Sequence, residues 1–350
     1  MCLGQGRELR PIKTHEPIYQ NPFDLGSGGA TITRATQEGV FFSNPSLSAF
    51  GGGFHRWFYI RPTVHVGADA VDAFQNILSG QASTGEDLLS NLKKPLHGGA
   101  DASVGYLNSL VGVNAFATTR VDADFRTFGS QGVPEMRLRA HFYTGGIISG
   151  SLPVDDWLAV GAAIKNIYGF QYKKAIGLLE LQQEGRLNEI TNEILTTPIG
   201  NGIGFDLGGT LQFRSQYTDL RIGLTLNDVG NTSFQGAEDP WLQTLSGGVG
   251  ITFHTRSHFI HCSTDYRDIL DSYQEHWTKK IYAGCKVGAK PIFFMWASIG
   301  AGLYQGYPGL AFAYNLFTFR LETGFYGKEV GSQVGVESRY VYYFTLGFEI

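Results

Sequence analysis

Apolar and polar residues alternate at every second position in several segments, most clearly in the last residues of the chain. The apolar set of this segment is Tyr340, Tyr342, Phe344, Leu346, Phe348 and Ile350. Successive side chains of a strand point to opposite faces, so the segment predicts a strand with one wholly apolar face. A tilted strand of about 9–11 residues is long enough to cross a bilayer.

The same period of two recurs in residues 203–213, 220–229, 245–253 and 317–325, where the second face carries Gly, Thr, Ser or charges. Such a face suits the hydrated lumen of a barrel better than the dry interior of a soluble sandwich, which remains the alternative. Outer-membrane barrels of bacteria have an even strand number, and the chain offers about 14 strand segments. We therefore predict an all-β, transmembrane, antiparallel up-and-down β-barrel.

Charged residues fall on the predicted polar faces, where they either rigidify the interior or tune a channel. These lumen candidates are Asp206, Arg214, Arg221, Arg320, Glu322 and Glu349. Aromatic residues near predicted strand ends are candidates for the belts at the two membrane interfaces. They are Trp57, Trp157, Trp241, Trp277 and Tyr340.

Two stretches, residues 68–96 and 175–196, place apolar residues three or four positions apart and predict short amphipathic helical insertions. They would cap a barrel mouth, dock a partner or fill a loop. The candidate ligand or partner contacts on them are Phe74, Ile77, Leu88, Leu179, Ile190 and Ile194.

Composition excludes several classes of protein. Only 17 % of the 350 residues are charged, 13 % are aromatic and 43 % are hydrophobic, which is untypical of a disordered chain. There are 27 Lys and Arg against 31 Asp and Glu, so the chain lacks the basic excess of a nucleic-acid binder. No apolar run reaches the roughly 18 residues of a membrane-spanning helix.

Motifs for catalysis and metal binding are also missing. The three widely spaced cysteines, Cys2, Cys262 and Cys285, form no metal or redox motif, and the last two are interpreted as small strand residues. A local group of ligand types comprises His254, His258, His261 and Asp265. Strand geometry favours turn and lumen histidines over a metal site. The chain has no G-x-S-x-G, P-loop or HExxH motif. We predict no enzyme, no cofactor and no metal, although a Ser/His/Asp set assembled in three dimensions stays open.

The N-terminal residues 25–53 contain a run of small residues followed by Phe-Ser-Asn-Pro-Ser-Leu at 42–47. This segment, with residues 158–170, 202–230 and 339–350, resembles the FadL-like family of outer-membrane proteins. That family includes long-chain fatty-acid transporters, PorV-type secretion subunits and TraF-like proteins. The resemblance implies a hatch formed by residues 1–53 and a barrel formed by residues 54–350. The hatch residues that it implies are Asn44, Pro45, Ser46, Leu47, Gly51, Gly52 and Gly53.

The resemblance further implies a bacterial outer-membrane location, with the signal peptide removed or upstream of the given start. The expected function is binding or passage of hydrophobic, fatty-acid-like molecules. The expected partners are outer-membrane lipid, the hydrophobic ligand and the barrel assembly machinery, without nucleic acid. Because the chain lacks large outer loops, the alternative is a non-transporting subunit of a secretion or envelope-assembly complex, as in PorV.

Overall fold

A closed barrel of fourteen antiparallel strands forms the molecule, in which each strand pairs with its neighbours in sequence and β1 closes against β14. The computed structural model describes residues 19–34, 39–50, 58–70, 96–126, 135–177, 186–235, 239–289, 295–329, 333–335 and 338–350. The strands are β1 (Tyr59–Gly67), β2 (Leu96–Leu107), β3 (Val111–Arg126), β4 (Glu135–Asp155), β5 (Leu158–Gly177), β6 (Gly200–Arg214), β7 (Thr218–Asn227), β8 (Thr244–His254), β9 (His258–Tyr266), β10 (Ile281–Ala289), β11 (Met295–Tyr304), β12 (Tyr307–Leu316), β13 (Phe319–Glu329) and β14 (Ser338–Glu349). The predicted all-β, up-and-down barrel is confirmed.

The two faces of each strand differ as the alternation predicts. On β14, Tyr342, Phe344 and Leu346 are exposed on the outside of the barrel, whereas Val341 and Tyr343 are buried inside. Strand β6 repeats the arrangement, with an exposed row of Ile203, Phe205 and Leu207. An outward apolar surface on a closed sheet is what the hydrocarbon region of a bilayer accommodates, because every backbone group is already paired.

The two ends of the barrel are unequal. One end holds the start of β1, the end of β14 and short turns such as residues 108–110 and 156–157. We call it the terminal end. The opposite end, the loop end, holds longer connections such as residues 228–243 and 267–280.

Helices are few and short in the described chain. They are α1 (Pro22–Gly26), α2 (Gly39–Phe42), α3 (Arg186–Leu195) and two 3₁₀ helices, Pro45–Phe50 and Trp277–Lys280. None of the helices that the described ranges contain is long and apolar enough to span a membrane.

The two stretches predicted as helical insertions can be compared with the structure only at their described ends. In the second stretch, β5 continues to Gly177, because its pairing with β4 extends to Glu135, residues 178–185 lie outside the described residues, and α3 covers Arg186–Leu195. In the first stretch, residues 68–70 are helical as predicted, Leu96 opens β2 instead of ending a helix, and residues 71–95 lie outside the described residues.

Cys262 and Cys285 lie directly opposite each other on β9 and β10 and form a disulfide bond. The interpretation of these two residues as merely small strand residues is therefore wrong. The spacing of the two cysteines in the sequence matches no disulfide motif, because only the pairing of β9 with β10 brings them together.

Candidate functional site in the barrel lumen

The chain before β1 fills the barrel interior. Residues 19–34 and 39–50, which we call the inner segment, are almost entirely buried. Asn21 is the N-cap of helix α1: its side chain accepts a hydrogen bond from the Asp24 amide at 3.1 Å, and Pro22 suits the first turn. The helix then packs on the inner faces of β11, β12 and β13.

Asn44 ties the inner segment to itself and to the wall. Its Nδ2 donates to the Ile32 carbonyl at 2.9 Å and to Thr210 Oγ1 on β6 at 3.1 Å. Its Oδ1 accepts from the Ser46 amide at 3.1 Å and from Ser46 Oγ at 2.7 Å. Asn44 is wholly buried, so the predicted Asn-Pro turn stands at the centre of a polar junction.

Glycines in the wall make this approach possible. A Cβ at Gly208 would lie 2.1 Å from Asn44 Oδ1, and a Cβ at Gly161 would lie 2.5 Å from the Ser46 amide nitrogen. Any larger residue at either position would push the inner segment away from β5 and β6.

Further along, the inner segment is held by charged side chains of β9 and of the loop that follows it. The Asp265 carboxylate accepts hydrogen bonds from the amides of Thr31 at 2.6 Å and Ile32 at 3.0 Å. Arg267 donates to the Gly29 carbonyl and, at 3.0 Å, to Thr31 Oγ1. These contacts connect residues more than 230 positions apart in sequence.

Buried ion pairs line the lumen. The Lys165 ammonium lies 2.8 Å from Asp206 and 2.9 Å from Asp228. Its position opposite Gly204 on β6 places it at the loop-end side of the inner segment. Thr232 also donates to Asp228 at 2.8 Å, so the charges of this cluster are paired inside the barrel.

A second network lies where β1, β13 and β14 meet. Glu349 binds Arg61 and lies 3.8 Å from Arg320, which also pairs with Glu322. Asn315 donates to Glu349 at 3.2 Å. This network joins the first and last strands at the closure of the barrel.

The loop end contains an aromatic group that closes over the inner segment. Trp241 stacks edge-on with Phe234 at 4.7 Å and Tyr143 at 5.1 Å between ring centroids. The rings of Phe42 and Tyr19 lie 4.8 Å apart and are tilted by 34°. Paired backbone hydrogen bonds between Thr232 and Trp241, each 2.9 Å long, hold the described parts of this loop, residues 228–235 and 239–243, together.

A cavity of about 70 Å³ lies between the inner segment and this loop. Its apolar lining includes Tyr19, Phe42 and Trp241, and its polar lining includes Lys165 and Tyr273. Burial raises the pKa of Tyr273 to about 12. The cavity therefore offers aromatic surfaces beside a few fixed polar groups, the usual composition of a small-molecule site.

The structure places the predicted residues unevenly. Asn44, Pro45, Ser46 and Leu47 lie together on the wall of the lumen. Five predicted lumen charges lie inside the barrel, namely Asp206, Arg221, Arg320, Glu322 and Glu349. Arg214 instead has a side chain 61 % exposed at the terminal rim, because it is the last residue of β6.

Other predicted positions give a mixed picture. Ile190 on α3 is buried and Ile194 is partly exposed. The remaining candidates lie outside the described residues: Gly51, Gly52, Gly53, Phe74, Ile77, Leu88, Leu179 and Trp57. Trp241 is not a belt residue, since its loop folds inward and packs it against Phe234.

Sequence reasoning missed Lys165 and Asp228, which hold the Asp206 carboxylate. The alternation along β5 places Lys165 on the inward face, so the sequence pattern could have predicted it as a lumen residue. Asp228 follows the end of β7, where the alternation stops, so no sequence pattern indicated that it faces the lumen. Within the described ranges no group of three His, Cys, Asp or Glu residues is arranged to hold a metal ion.

Comparison with known proteins gave matches by structure alone. No protein-family profile and no curated protein matches the sequence. The toluene transporter TodX of Pseudomonas putida superposes with a TM-score of 0.53 at 10 % identity, covering 93 % of this chain and 96 % of that one. The toluene transporter TbuX of Ralstonia pickettii gives a TM-score of 0.54 at 12 % identity, with coverages of 94 % and 97 %.

A third structure, the CymD monoaromatic hydrocarbon channel, gives a TM-score of 0.50 at 11 % identity and covers 95 % of this chain and 98 % of that one. This chain has the fold of these channels over nearly its whole length. The barrel that the FadL-like resemblance implied is thereby confirmed.

Proposed function

We propose that this chain is an outer-membrane barrel that binds hydrophobic small molecules and passes them through its lumen. The observation that carries the proposal is the aromatic-lined cavity of about 70 Å³ between the inner segment and the loop end. Two further points support it: the apolar exterior of the barrel, and a fold shared with channels named for toluene and other monoaromatic hydrocarbons. This function requires no catalytic group.

The cavity volume argues for movement during passage. A dry protein cavity of about 150 Å³ holds one benzene molecule, which is about twice the space present here. A hydrocarbon entering beside Trp241 must therefore displace the loop 228–243 or the inner segment. The wall offers no other route among the described residues, since every neighbouring pair of strands is hydrogen-bonded.

On this proposal residues 1–53 act as the hatch and residues 54–350 as the barrel wall. Ligand would enter at the loop end, cross the junction made by Asn44 and Thr210, and leave at the terminal end. Short turns face the periplasm in outer-membrane barrels, so the loop end would face the exterior.

Uptake by cells tests the proposal. Labelled toluene and a labelled long-chain fatty acid would be supplied to a Gram-negative host that lacks its own channel for such compounds. We expect faster uptake with this chain than with the empty vector. Trp241→Ala should lower the rate severalfold, because it removes an aromatic wall of the cavity.

Trp157→Ala is the matched control, since Trp157 is exposed in a turn at the terminal end. Uptake equal to the empty vector for both compounds would refute the transport function. Co-purification of a stoichiometric partner in mild detergent, together with that result, would favour a subunit of an envelope complex instead.

A further inference from the structure

A group of basic side chains lies deeper in the lumen than the cavity, between the inner segment and strands β7 to β10. Arg34 belongs to the inner segment, Arg221 to β7, His261 to β9 and Lys286 to β10. His261 is paired directly with Lys286 in the sheet. Lys286 points inward, because its neighbours Cys285 and Val287 lie on the exposed face, and the buried His261 opposite it shares that inward face.

The inner segment closes this group from above. Gly250 is paired with Arg221, and a Cβ at Gly250 would lie 2.4 Å from Thr33 Oγ1 and 3.1 Å from His261 Nε2. Thr33 precedes Arg34 in the chain. Because Gly250 has no side chain, the inner segment can approach His261 and Arg221 at this point.

Several buried donors of this group have no hydrogen-bond partner, although Arg221 donates to the Phe50 carbonyl at 3.5 Å. Arg34 is 8 % exposed, and its Nη2 donates to the Ser27 carbonyl at 3.1 Å and to Ser27 Oγ at 2.8 Å. Its Nε and Nη1 have no hydrogen-bond partner, and neither does Nε2 of His261, which is 5 % exposed. His261 uses only Nδ1, at 2.6 Å from Thr252 Oγ1.

The charges are unpaired as well. Within the described ranges, neither Arg34, Arg221 nor Lys286 forms an ion pair. Lys286 instead lies over the ring of Phe23, 4.8 Å from its centroid. Burial lowers the pKa of Arg34, against the attraction of Asp24 and Asp265.

Asp24 and Asp265 attract Arg34 without forming an ion pair with it, and Asp265 already has other partners. Asp265 accepts from the Thr31 and Ile32 amides. Asp219, two residues before Arg221 on β7, lies 3.0 Å from His254 and 3.5 Å from Arg214. Lys165, by contrast, forms ion pairs with two carboxylates.

Buried charge without a partner is strongly unfavourable, whereas charge-assisted hydrogen bonds to an anion are among the strongest in proteins. We infer that Arg34, Arg221, His261 and Lys286 form an anion site that takes the carboxylate of a small amphipathic acid. This inference rests on the proposed function and narrows its cargo. A neutral hydrocarbon cannot accept hydrogen bonds from these donors.

Equilibrium dialysis on the detergent-solubilised barrel tests the inference. The probes are labelled benzoate, the neutral benzyl alcohol of similar size, and acetate, which has the charge without the ring. We expect benzoate to bind at least about tenfold more tightly than benzyl alcohol, because a charged group adds strong hydrogen bonds.

Arg34→Gln and Lys286→Gln should each weaken benzoate about tenfold and leave benzyl alcohol unchanged. Arg256→Gln is the matched control, since it removes a charge from an exposed turn at the terminal end. A heat-dependent gel shift verifies that each variant is a closed barrel. If Arg34→Gln fails to fold, Lys286→Gln gives the same test at a less buried position.

The outcomes separate the two claims. Acetate that competes as well as benzoate would support the anion site with a free small anion as its ligand. Equal binding of benzoate and benzyl alcohol, unchanged in the variants, would overturn the anion site and leave the proposed function standing. Failure of all three probes to bind would overturn both.

Discussion

Replacing Asn44 with alanine removes a side chain that orders the inner segment and bonds it to the barrel wall. Four hydrogen bonds are lost, two donated by Nδ2 and two accepted by Oδ1. Each contributes about 0.5–1.5 kcal/mol net in a buried setting. The variant should therefore lower the free energy of opening the inner segment by about 3 kcal/mol, an increase of about a hundredfold in the open population.

Native-state hydrogen exchange measures this opening directly. The amides of Ser46 and Leu47 are bonded to Asn44 itself, at 3.1 Å and 3.2 Å, so they report on the junction. We expect their protection to fall by about two orders of magnitude while the strands keep theirs. Asn108→Ala is the control, because Asn108 caps an exposed turn at the terminal end.

A double-mutant cycle with Thr210→Val makes the reasoning refutable. Groups in direct contact show coupling energies of about 0.5–3 kcal/mol, and Asn44 donates to Thr210 at 3.1 Å. Additive effects of the two substitutions, or unchanged exchange in Asn44→Ala, would show that the junction does not hold the inner segment.

Three other perturbations have defined outcomes. Gly208→Ala places a Cβ 2.1 Å from an oxygen of the inner segment and should destabilise by about 1–3 kcal/mol in chemical denaturation, whereas Gly209→Ala, in open space, should be neutral. Lys165→Met leaves two buried carboxylates unpaired and should cost about 3–5 kcal/mol in the same assay, whereas Lys173→Met, with 43 % of its side chain exposed, should change it little. The pKa of Tyr273 is raised from 10.0 to about 12, so its contribution to stability is complete below pH 10 and declines as the pH rises towards 12. Ultraviolet titration against Tyr273→Phe should show one tyrosine ionising late, and ionisation near pH 10 would contradict this.

Much of the wall was predictable because it depends on local chemistry. In a strand the side-chain period is two, so Tyr342, Phe344 and Leu346 had to share one face whatever the rest of the chain did. Once that face was apolar over a bilayer-spanning length, closure into a barrel followed, because an open edge leaves backbone groups unpaired in lipid.

The errors fall where that local rule ends. The alternation along β6 predicts that Arg214 faces the lumen. The strand ends at this residue, however, and its side chain lies at the rim. Trp241 lies in a loop with no period, so only the folded loop reveals that it packs in the lumen. Cys262 and Cys285 were related only through the register of β9 and β10.

The strands, their faces and the turn at Asn44 are readable in the sequence, because they depend on neighbours a few residues apart. What fills the barrel and which lumen charges are paired depend on contacts between distant residues. Asp265 meets Thr31 across 234 positions, and Lys165 meets Asp228 across 63. Such pairs are set by the curvature of the closed sheet and the path of the inner segment, and no local pattern of residues records either.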